Sequence, residues 1–248
     1  MEWQAPAIVL AARPHGEGDA LVTVLTEEQG KHNGLARGGS SRAQASTWQP
    51  GNLVQARWIA RLAEQLGSMT AELVHPGAAL AMDEALSLAI LSSACAVADG
   101  ALPEREPHPQ VFAGLVQLIA GLARGADSLT DLVRWEAVLL AELGYGLDLT
   151  ACAVSGATAG LAWVSPKTGR AVSDAAAGEW RPRLLRLPGF LAGSNTADAE
   201  DWRDGLKLTA HFLTRDAFGY QHRPLPPARL MLDDRVSALA SSHLASGN

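Results

Sequence analysis

The chain lacks several features that would assign it to a class at once. Its 248 residues include only two cysteines, Cys95 and Cys152, which are too few for a disulfide scaffold. A membrane-spanning helix needs about 18 apolar residues in a row, and no run in this sequence approaches that length. Met1–Gln4 also lacks the basic residues with which a signal peptide begins. With 48% hydrophobic and 19% charged residues, the composition is globular, and we expect a reducing, intracellular compartment.

Catalytic motifs are also missing. A Gly-Glu-Gly segment at residues 16–18 lacks the further glycine of a dinucleotide fingerprint, and Lys167-Thr168 lacks the preceding glycines of a phosphate loop. The seven histidines are scattered without the spacing of metal ligands. We therefore expect no catalytic residues and no cofactor. A metabolic enzyme with an accessory barrel domain is the hypothesis with the least support.

The formal net charge of −6 is spread unevenly along the chain. Residues 1–76 carry six Lys and Arg against seven Asp and Glu, residues 77–148 carry three against ten, and residues 149–248 carry eleven against nine. The acidic residues are thus concentrated in the middle of the chain. This distribution leaves room for a basic face elsewhere.

The first 75 residues are typical of β structure. Runs rich in β-branched residues end at glycine-containing turns, and this pattern favours a small closed barrel over a βαβ unit. Strands are predicted near residues 7–13, 20–26, 31–36, 53–59 and 67–74.

After residue 76 the pattern becomes helical. Residues 78–97 form an almost uninterrupted apolar run with Asp83 and Glu84 near its start, where a helix dipole favours acids. Residues 150–195, rich in glycine and proline, are expected to be irregular. Further helices are predicted at residues 111–123, 128–143 and 197–218, the last capped by Thr196, and residues 245–248 are expected to fray. The prediction is an α+β chain with a barrel domain over residues 1–76 and a helical domain over residues 77–248.

One stretch of the barrel has the features of a nucleic-acid groove. No acidic residue occurs from Lys31 to Ala63. A basic loop beside a basic strand face suits a single-stranded phosphate backbone, and Trp48 or Trp58 would offer a base a stacking surface. Trp58 points to the face opposite Arg57, so it is itself expected in the core, and the alternative is a solvated surface over two core tryptophans. The candidate DNA-binding residues are Lys31, Arg37, Arg42, Arg57 and Arg61.

Seven segments of the chain form a recognisable series. They are Ala7–Asp19 with its Gly-Glu turn, Leu21–Thr26, Gly30-Lys31, the basic loop Ala36–Arg42, the Gln-Pro-Gly turn at 49–51, Leu143–Leu149 followed by Cys152, and Trp163–Ser173. In their order and spacing these segments resemble the RecO family of bacterial DNA-repair proteins, and the similarity extends over nearly the whole chain.

The resemblance implies a function that composition and spacing do not. It implies a five-stranded OB-fold barrel followed by a helical domain. It further implies a recombination mediator that binds single- and double-stranded DNA, anneals strands and acts with RecR. Contact with the C-terminal tail of single-strand binding protein and help in loading RecA are implied as well, with a cytoplasmic, nucleoid-associated location.

The chain departs from this family in one respect. Some members carry a four-cysteine zinc site after the helices, but here Cys152 stands alone and Ser155 occupies the position of its CxxC partner. One thiolate cannot supply the tetrahedral ligand set of structural zinc. We therefore predict no metal. Residues 150–195 would be the metal-free counterpart of the family's zinc region, held together by the packing of apolar side chains. The packing candidates are Trp163, Leu184, Leu185, Leu187 and Phe190.

A protein-interaction adaptor with weak or no DNA binding is the alternative function. The acidic tail of single-strand binding protein ends in an apolar residue and needs a basic-rimmed apolar pocket. Arg124 and Arg134 are candidates, the latter beside Val133, Trp135 and Leu139, and isolated surface arginines are the alternative. A second cluster, which would serve either DNA or this tail, consists of Arg181, Arg183 and Arg186.

Overall fold

The computed structural model describes residues 1–62 and 64–246, with the side chains of residues 242–246 not described. The chain forms two compact units, Met1–Gly125 and Ala126–Asn248. The first unit thus holds the barrel together with the helices that follow it up to Gly125. The domain boundary predicted at residues 76 and 77 stays a prediction, although it falls just after the last barrel strand, which ends at His75.

The first unit begins with a closed five-stranded barrel. Neighbouring strands are antiparallel except β3 and β5, which meet in parallel at Leu35 and Ser68, and the order around the barrel is β1-β2-β3-β5-β4. This confirms the predicted α+β fold with an N-terminal OB-fold barrel. The strands are β1 (Glu2–His15), β2 (Asp19–Thr26), β3 (Gly30–Ala36), β4 (Leu53–Ile59) and β5 (Ser68–His75).

Alternation along the strands explains why this segment closes into a barrel. In β4 the side chains of Val54, Ala56 and Trp58 are buried, while those between them face outward. Small and β-branched residues fill most of the interior, which suits the narrow space inside a five-stranded barrel. β1 is longer than predicted because it pairs with β4 over its first half and with β2 over its second.

Three helices complete the first unit: α1 (Gly77–Ala81), α2 (Ala85–Ala101) and α3 (Pro109–Gly121). The single helix predicted over residues 78–97 is wrong, because the chain breaks between α1 and α2. Glu84 has extended backbone angles, φ −131° and ψ 121°, and precedes the first turn of α2. Its carboxylate accepts a hydrogen bond from the Ser87 hydroxyl. An Ala- and Leu-rich run carries no periodic signal that would mark such a break.

The second unit combines helices with a small sheet. The segment predicted to be irregular, residues 150–195, instead contains a three-stranded antiparallel sheet in the order β7-β6-β8. Its strands are too short for an alternating pattern to be recognised in the sequence. The elements are α4 (Ser128–Glu142), β6 (Leu161–Val164), β7 (Ala171–Ser173), α5 (Asp174–Ala177), β8 (Leu185–Arg186), α6 (Ala199–Phe212) and α7 (Pro227–Ser246).

The start of α6 also differs from the prediction. Asp198, not Thr196, is the N-cap, and its side chain accepts hydrogen bonds from the backbone amides of Glu200 and Asp201, both at 2.9 Å. Asp201 reaches back to the Asp198 amide, which completes a capping box with aspartate in the place of glutamate. At the other end of the chain, α7 extends to Ser246, so the predicted frayed tail falls partly on residues 247–248, which lie outside the described residues.

A buried arginine links three helices of the second unit, and it is paired with two carboxylates, Glu136 and Asp233. Arg229 of α7 donates from Nε to Glu136 of α4 at 2.6 Å, and both side chains are fully buried. Its Nη2 also donates to Glu136 Oε2 at 3.0 Å and to the Leu206 carbonyl of α6 at 2.9 Å. The helical part of this unit is therefore built around one buried charge pair. None of the helices in the described part of the chain is both long and apolar enough to span a bilayer.

Candidate nucleic-acid interface

The loop between β3 and β4, residues 37–52, is exposed in its middle and anchored at both ends. At its start, the Gly38 amide donates to Asp19 Oδ1 at 2.8 Å, and the Ser40 hydroxyl donates to the Asp19 carbonyl at 2.6 Å. At its end, Asn52 donates from Nδ2 to the Ser46 carbonyl at 2.7 Å. This arrangement holds a polar loop against the barrel without burying its tip.

The Gln-Pro-Gly turn closes this loop against α2. Gly51 has φ +93°, and a Cβ atom at this position would lie 2.4 Å from Leu91 Cδ2. Both the backbone conformation and the close approach of Leu91 therefore require glycine. The turn fixes the end of the loop relative to the barrel.

Arg37 and Arg42 are the two cations that this loop presents. Both side chains are exposed. Because the loop base is anchored through Asp19, the two guanidinium groups extend from a fixed frame. They are the predicted site residues that the structure places most favourably for contact with an anionic backbone.

The exposed face of β4 is less basic than the sequence suggested. Arg57 points outward as predicted, but its Nε donates to Glu2 Oε1 at 2.6 Å across the β1–β4 pair. This hydrogen bond lowers the pKa of Glu2. Glu72 of β5 also stands opposite Gln55 on β4. Arg61 is exposed and follows the end of β4, just before Ala63, which is outside the described residues.

Lys31 does not face solvent. Only 8% of its surface is exposed, and its ammonium group donates to the Asp99 carbonyl of α2 at 2.6 Å. The β3 backbone also pairs with residue Glu104 at this point. The sequence placed Lys31 correctly on a strand, but it gave no sign that the chain after α2 covers that strand. We therefore leave Lys31 out of the proposed DNA contacts.

Neither tryptophan suggested as a stacking surface is available on the barrel. Trp48 and Trp58 each expose 3% of their surface, so both belong to the core. Inside the barrel, Trp58 stacks on Trp3 with ring centroids 6.2 Å apart, and His32 packs edge-on against both rings. Burial lowers the pKa of His32 to about 4, with the charge of Arg105 as a second cause. Among the barrel aromatics, the expectation that Trp58 is a core residue holds.

The cations proposed for an acidic tail are in different surroundings. Arg124 is exposed and lies in the first unit, in the 3₁₀ turn after α3. Arg134 of α4, in the second unit, donates to the Phe190 carbonyl at 3.2 Å and lies over the Phe190 ring. The apolar residues predicted beside Arg134 do not form a surface pocket, because Val133, Trp135 and Leu139 are all buried.

The arginines of the second cluster lie over two tryptophan rings, Trp163 of β6 and Trp180 of the 3₁₀ turn Gly178–Arg183. Arg181 and Arg186 lie 5.5 and 4.7 Å from the centroid of the Trp163 ring. Arg183 lies 5.4 Å from the centroid of the Trp180 ring, and Trp180 exposes 56% of its surface. Trp180 was missed in the sequence, although its setting in Gly-Glu-Trp-Arg-Pro-Arg, at residues 178–183, is a signal for an exposed aromatic.

The residues around Cys152 do not fit a zinc ion. The sulfur accepts hydrogen bonds from the amides of Ser155 and Ser173, at 3.5 and 3.3 Å, and these serines lower the pKa of the thiol. The thiol packs with Trp163 and Val172 in a small apolar cluster. In the described part of the chain, no three His, Cys, Asp or Glu side chains are grouped so that they could hold a metal ion. Trp163, Leu187 and Phe190 are buried, as the packing prediction required.

A closed five-stranded barrel with the strand order β1-β2-β3-β5-β4 is an OB-fold module. Two family models match the chain: "Recombination protein O N terminal" over residues 1–76 and "Recombination protein O C terminal" over residues 82–224. The chain belongs to the recombination protein O (RecO) family.

Relatives in three bacteria agree with this assignment over almost the full length. A DNA repair protein RecO of Gluconacetobacter diazotrophicus is 60% identical over 245 residues, which is 96% of each chain. That of Granulibacter bethesdensis is 58% identical and covers 98% of each chain. That of Rhodospirillum centenum is 48% identical and covers 100% of this chain and 98% of its own.

Proposed function

We propose that this chain is a non-catalytic DNA repair and recombination mediator that binds DNA through its barrel. The observation that carries the proposal is the anchored loop with exposed Arg37 and Arg42, on a barrel that belongs to the RecO family. Arg57 and Arg61 extend the contact along the edge of β4. Arg57 has to exchange its bond with Glu2 for a phosphate, so we expect it to contribute less than the loop arginines.

The finer roles follow from family membership. We propose that the chain binds single- and double-stranded DNA, promotes annealing of complementary strands and acts with RecR. It would help to load RecA onto DNA covered by single-strand binding protein, whose acidic tail it contacts, in the cytoplasm at the nucleoid. The relatives are named as DNA repair proteins, which supports this assignment.

A protein-interaction adaptor remains the second candidate. The acidic stretch of residues 77–148, with three Lys and Arg against ten Asp and Glu, is unsuited to DNA. It would favour a partner surface with basic character. This candidate predicts tight binding of protein partners and no measurable affinity for naked DNA.

Salt-dependent titration separates the two candidates. Labelled single-stranded DNA is titrated at several salt concentrations with wild-type protein and with the double variant Arg37→Gln/Arg42→Gln. Each phosphate contact contributes about −0.7 to the log–log salt slope on a single strand, so three or four contacts give roughly −2 to −3. Loss of two contacts should reduce the magnitude of the slope by about 1.4 and weaken binding about 25-fold at 0.1 M salt.

The control makes the same change of charge elsewhere. Lys207 and Arg223 are exposed and lie in the second unit, outside the barrel. The variant Lys207→Gln/Arg223→Gln should therefore keep the wild-type slope. A wild-type protein whose binding is flat between low and moderate salt, or that does not bind at all, would contradict the proposal and favour the adaptor.

A further inference from the structure

Trp180 is an exposed aromatic ring in a segment with an excess of basic residues. Residues 161–186 carry five Lys and Arg against two Asp and Glu, whereas residues 1–76 carry six against seven. Among the tryptophans of the described chain, Trp180 is the one that exposes more than half of its surface, at 56%. It stands on the 3₁₀ turn Gly178–Arg183, just before β8. An exposed aromatic ring with arginines beside it offers the stacking surface and the cations that bind single strands.

The arginines beside Trp180 are held in place by the small sheet. Trp163 donates from Nε1 to Asp174 Oδ1 at 2.9 Å, and the same oxygen accepts from Arg181 at 2.9 Å. This triangle positions Arg181 and neutralises Asp174, one of the two acids of the segment. Because the Arg181 guanidinium also lies over the Trp163 ring, this side chain has little conformational freedom left to lose on binding.

The other two arginines are fixed in similar ways. Arg186 of β8 stands opposite Trp163 of β6 in the sheet register, and its guanidinium lies 4.7 Å from the ring centroid. Arg183 lies over the Trp180 ring itself. The side chains of Arg181 and Arg186 are 51% and 56% exposed, so their donors reach solvent.

We propose that Trp180 and Arg181, Arg183 and Arg186 form a second DNA-binding site, in which an unpaired base stacks on Trp180 and the arginines contact phosphates. The inference rests on the proposed function, because it supposes that the chain binds single-stranded DNA. It adds what the barrel arginines do not provide, which is a preference for unpaired bases. Aromatic stacking with nearby cations is the recognition chemistry of single strands and is indifferent to base sequence.

An acidic peptide is the other occupant that these charges would attract. A peptide that ends in an apolar residue needs a concave apolar pocket for that residue. Trp180 instead presents an exposed ring on a turn, while the apolar side chains of Trp163 and Val172 in the neighbouring sheet are buried in a cluster with Cys152. The geometry therefore suits a planar base better than an apolar side chain.

The experiment compares two single strands with equal charge. One is a labelled oligothymidylate, and the other is an abasic strand of the same length with the same number of phosphates. The full chain and the variants Trp180→Ala and Trp180→Phe are titrated with both at fixed salt. The control variant is Tyr220→Ala, which removes an aromatic residue that is 82% exposed and lies outside the patch.

Trp180→Ala removes the stacking of one base, so this variant should bind the thymidylate strand about 10-fold more weakly than the wild type does, which corresponds to about 1.4 kcal/mol. Binding of the abasic strand should stay within twofold of wild type. Trp180→Phe should restore most of the affinity, and Tyr220→Ala should change neither. Retention of the wild-type thermal unfolding midpoint in Trp180→Ala would exclude misfolding. If that midpoint falls, Trp180→Phe still tests stacking, because it keeps an aromatic ring at the position.

Three results would overturn the inference. Equal affinity of wild type and Trp180→Ala for the thymidylate strand would remove Trp180 from the interface. Equal weakening on both strands would show that the ring acts on the fold and not on a base. Reduced affinity of Trp180→Ala for an acidic, apolar-ended peptide, with DNA binding unchanged, would assign the patch to a protein partner. In each case the wild-type salt slope, measured separately, reports whether the proposed function itself holds.

Discussion

Replacement of Arg229 by methionine tests how much the second unit depends on its buried charge pair. In the variant, Glu136 keeps a fully buried carboxylate but loses two charge-assisted hydrogen bonds, at 2.6 and 3.0 Å. The Thr209 hydroxyl, which donates to Glu136 at 2.5 Å, remains as a neutral partner. Breaking a buried pair by removal of one partner costs about 3–5 kcal/mol. We expect a loss in this range for Arg229→Met at pH 7.

The double variant Glu136→Leu/Arg229→Met separates the charge from the packing. Its side chains are apolar and of similar size, so the buried carboxylate of Glu136 is removed together with its cation. Asp233, which also pairs with Arg229, keeps a partly exposed carboxylate, and the Thr209 hydroxyl and the Leu206 carbonyl lose partners. Replacement of a buried pair by apolar residues is often neutral or stabilising. We therefore expect the double variant to recover most of the stability that the single variant loses.

The pH dependence of the single variant gives a second, independent readout. Without Arg229, the carboxylate at position 136 is buried with no cation beside it, and burial of this kind favours the protonated form of a carboxyl. The folded variant then binds a proton that the unfolded chain does not hold, so its loss of stability relative to the wild type should become smaller as the pH falls from 7 toward 5, because the contribution of His32 is the same in both proteins. The assay is urea unfolding followed by circular dichroism at both pH values. A single variant that loses less than about 1 kcal/mol, or a double variant no better than the single one, would refute the reasoning.

Two further predictions concern the barrel. His32 has a pKa of about 4 in the folded protein, against an ordinary value of 6.5. As the pH falls, the unfolded chain therefore takes up a proton before the folded protein does. The free energy of unfolding should decrease between pH 6.5 and 4 by up to about 3 kcal/mol. Urea unfolding across this range should show a smaller drop in His32→Phe, and an unchanged drop would contradict the assignment. Gly51→Ala should lower the free energy of unfolding by at least about 2 kcal/mol, because the new Cβ meets Leu91. Gly38→Ala, with a similar positive φ but no atom within 4 Å, is its matched control and should lose clearly less, and equal losses would rule out the contact as the cause.

The barrel could be predicted from the sequence because its signal is local. Alternation in residues 53–59 placed β4 with the bounds that the structure has, and it assigned Trp58 to the interior. Lys31 was predicted to be exposed but is buried, and no local sequence pattern could have shown this. Alternation tells which side of a strand a residue faces, but whether that side meets solvent depends on chain elements distant in sequence. Here Asp99 supplies the covering contact.

In the second unit, too, the structure depends on contacts between residues that are far apart in sequence. Arg229 is surrounded by apolar residues in Pro-Pro-Ala-Arg-Leu-Met-Leu, residues 226–232, and no motif connects it with Glu136, which lies far away in the sequence. The three-stranded sheet is likewise stabilised by long-range contacts around Trp163 and not by its own strand pattern. Sequence reasoning therefore identified the packing residues of this segment more successfully than its secondary structure.

The position of the two proposed DNA surfaces also explains how an acidic chain can bind an acidic polymer. The net charge is −6, but the acidic residues are concentrated in residues 77–148, apart in sequence from the loop arginines and from the Trp180 patch. At about 0.1 M salt the Debye length is about 10 Å, so a phosphate in contact with Arg42 or Arg183 responds to its immediate neighbours more than to the total charge. At about 0.01 M salt the Debye length reaches about 30 Å, and repulsion from the acidic stretch acts on the same strand. Local arrangement of cations, and not net charge, is thus the quantity that decides whether such a protein binds DNA at cellular ionic strength.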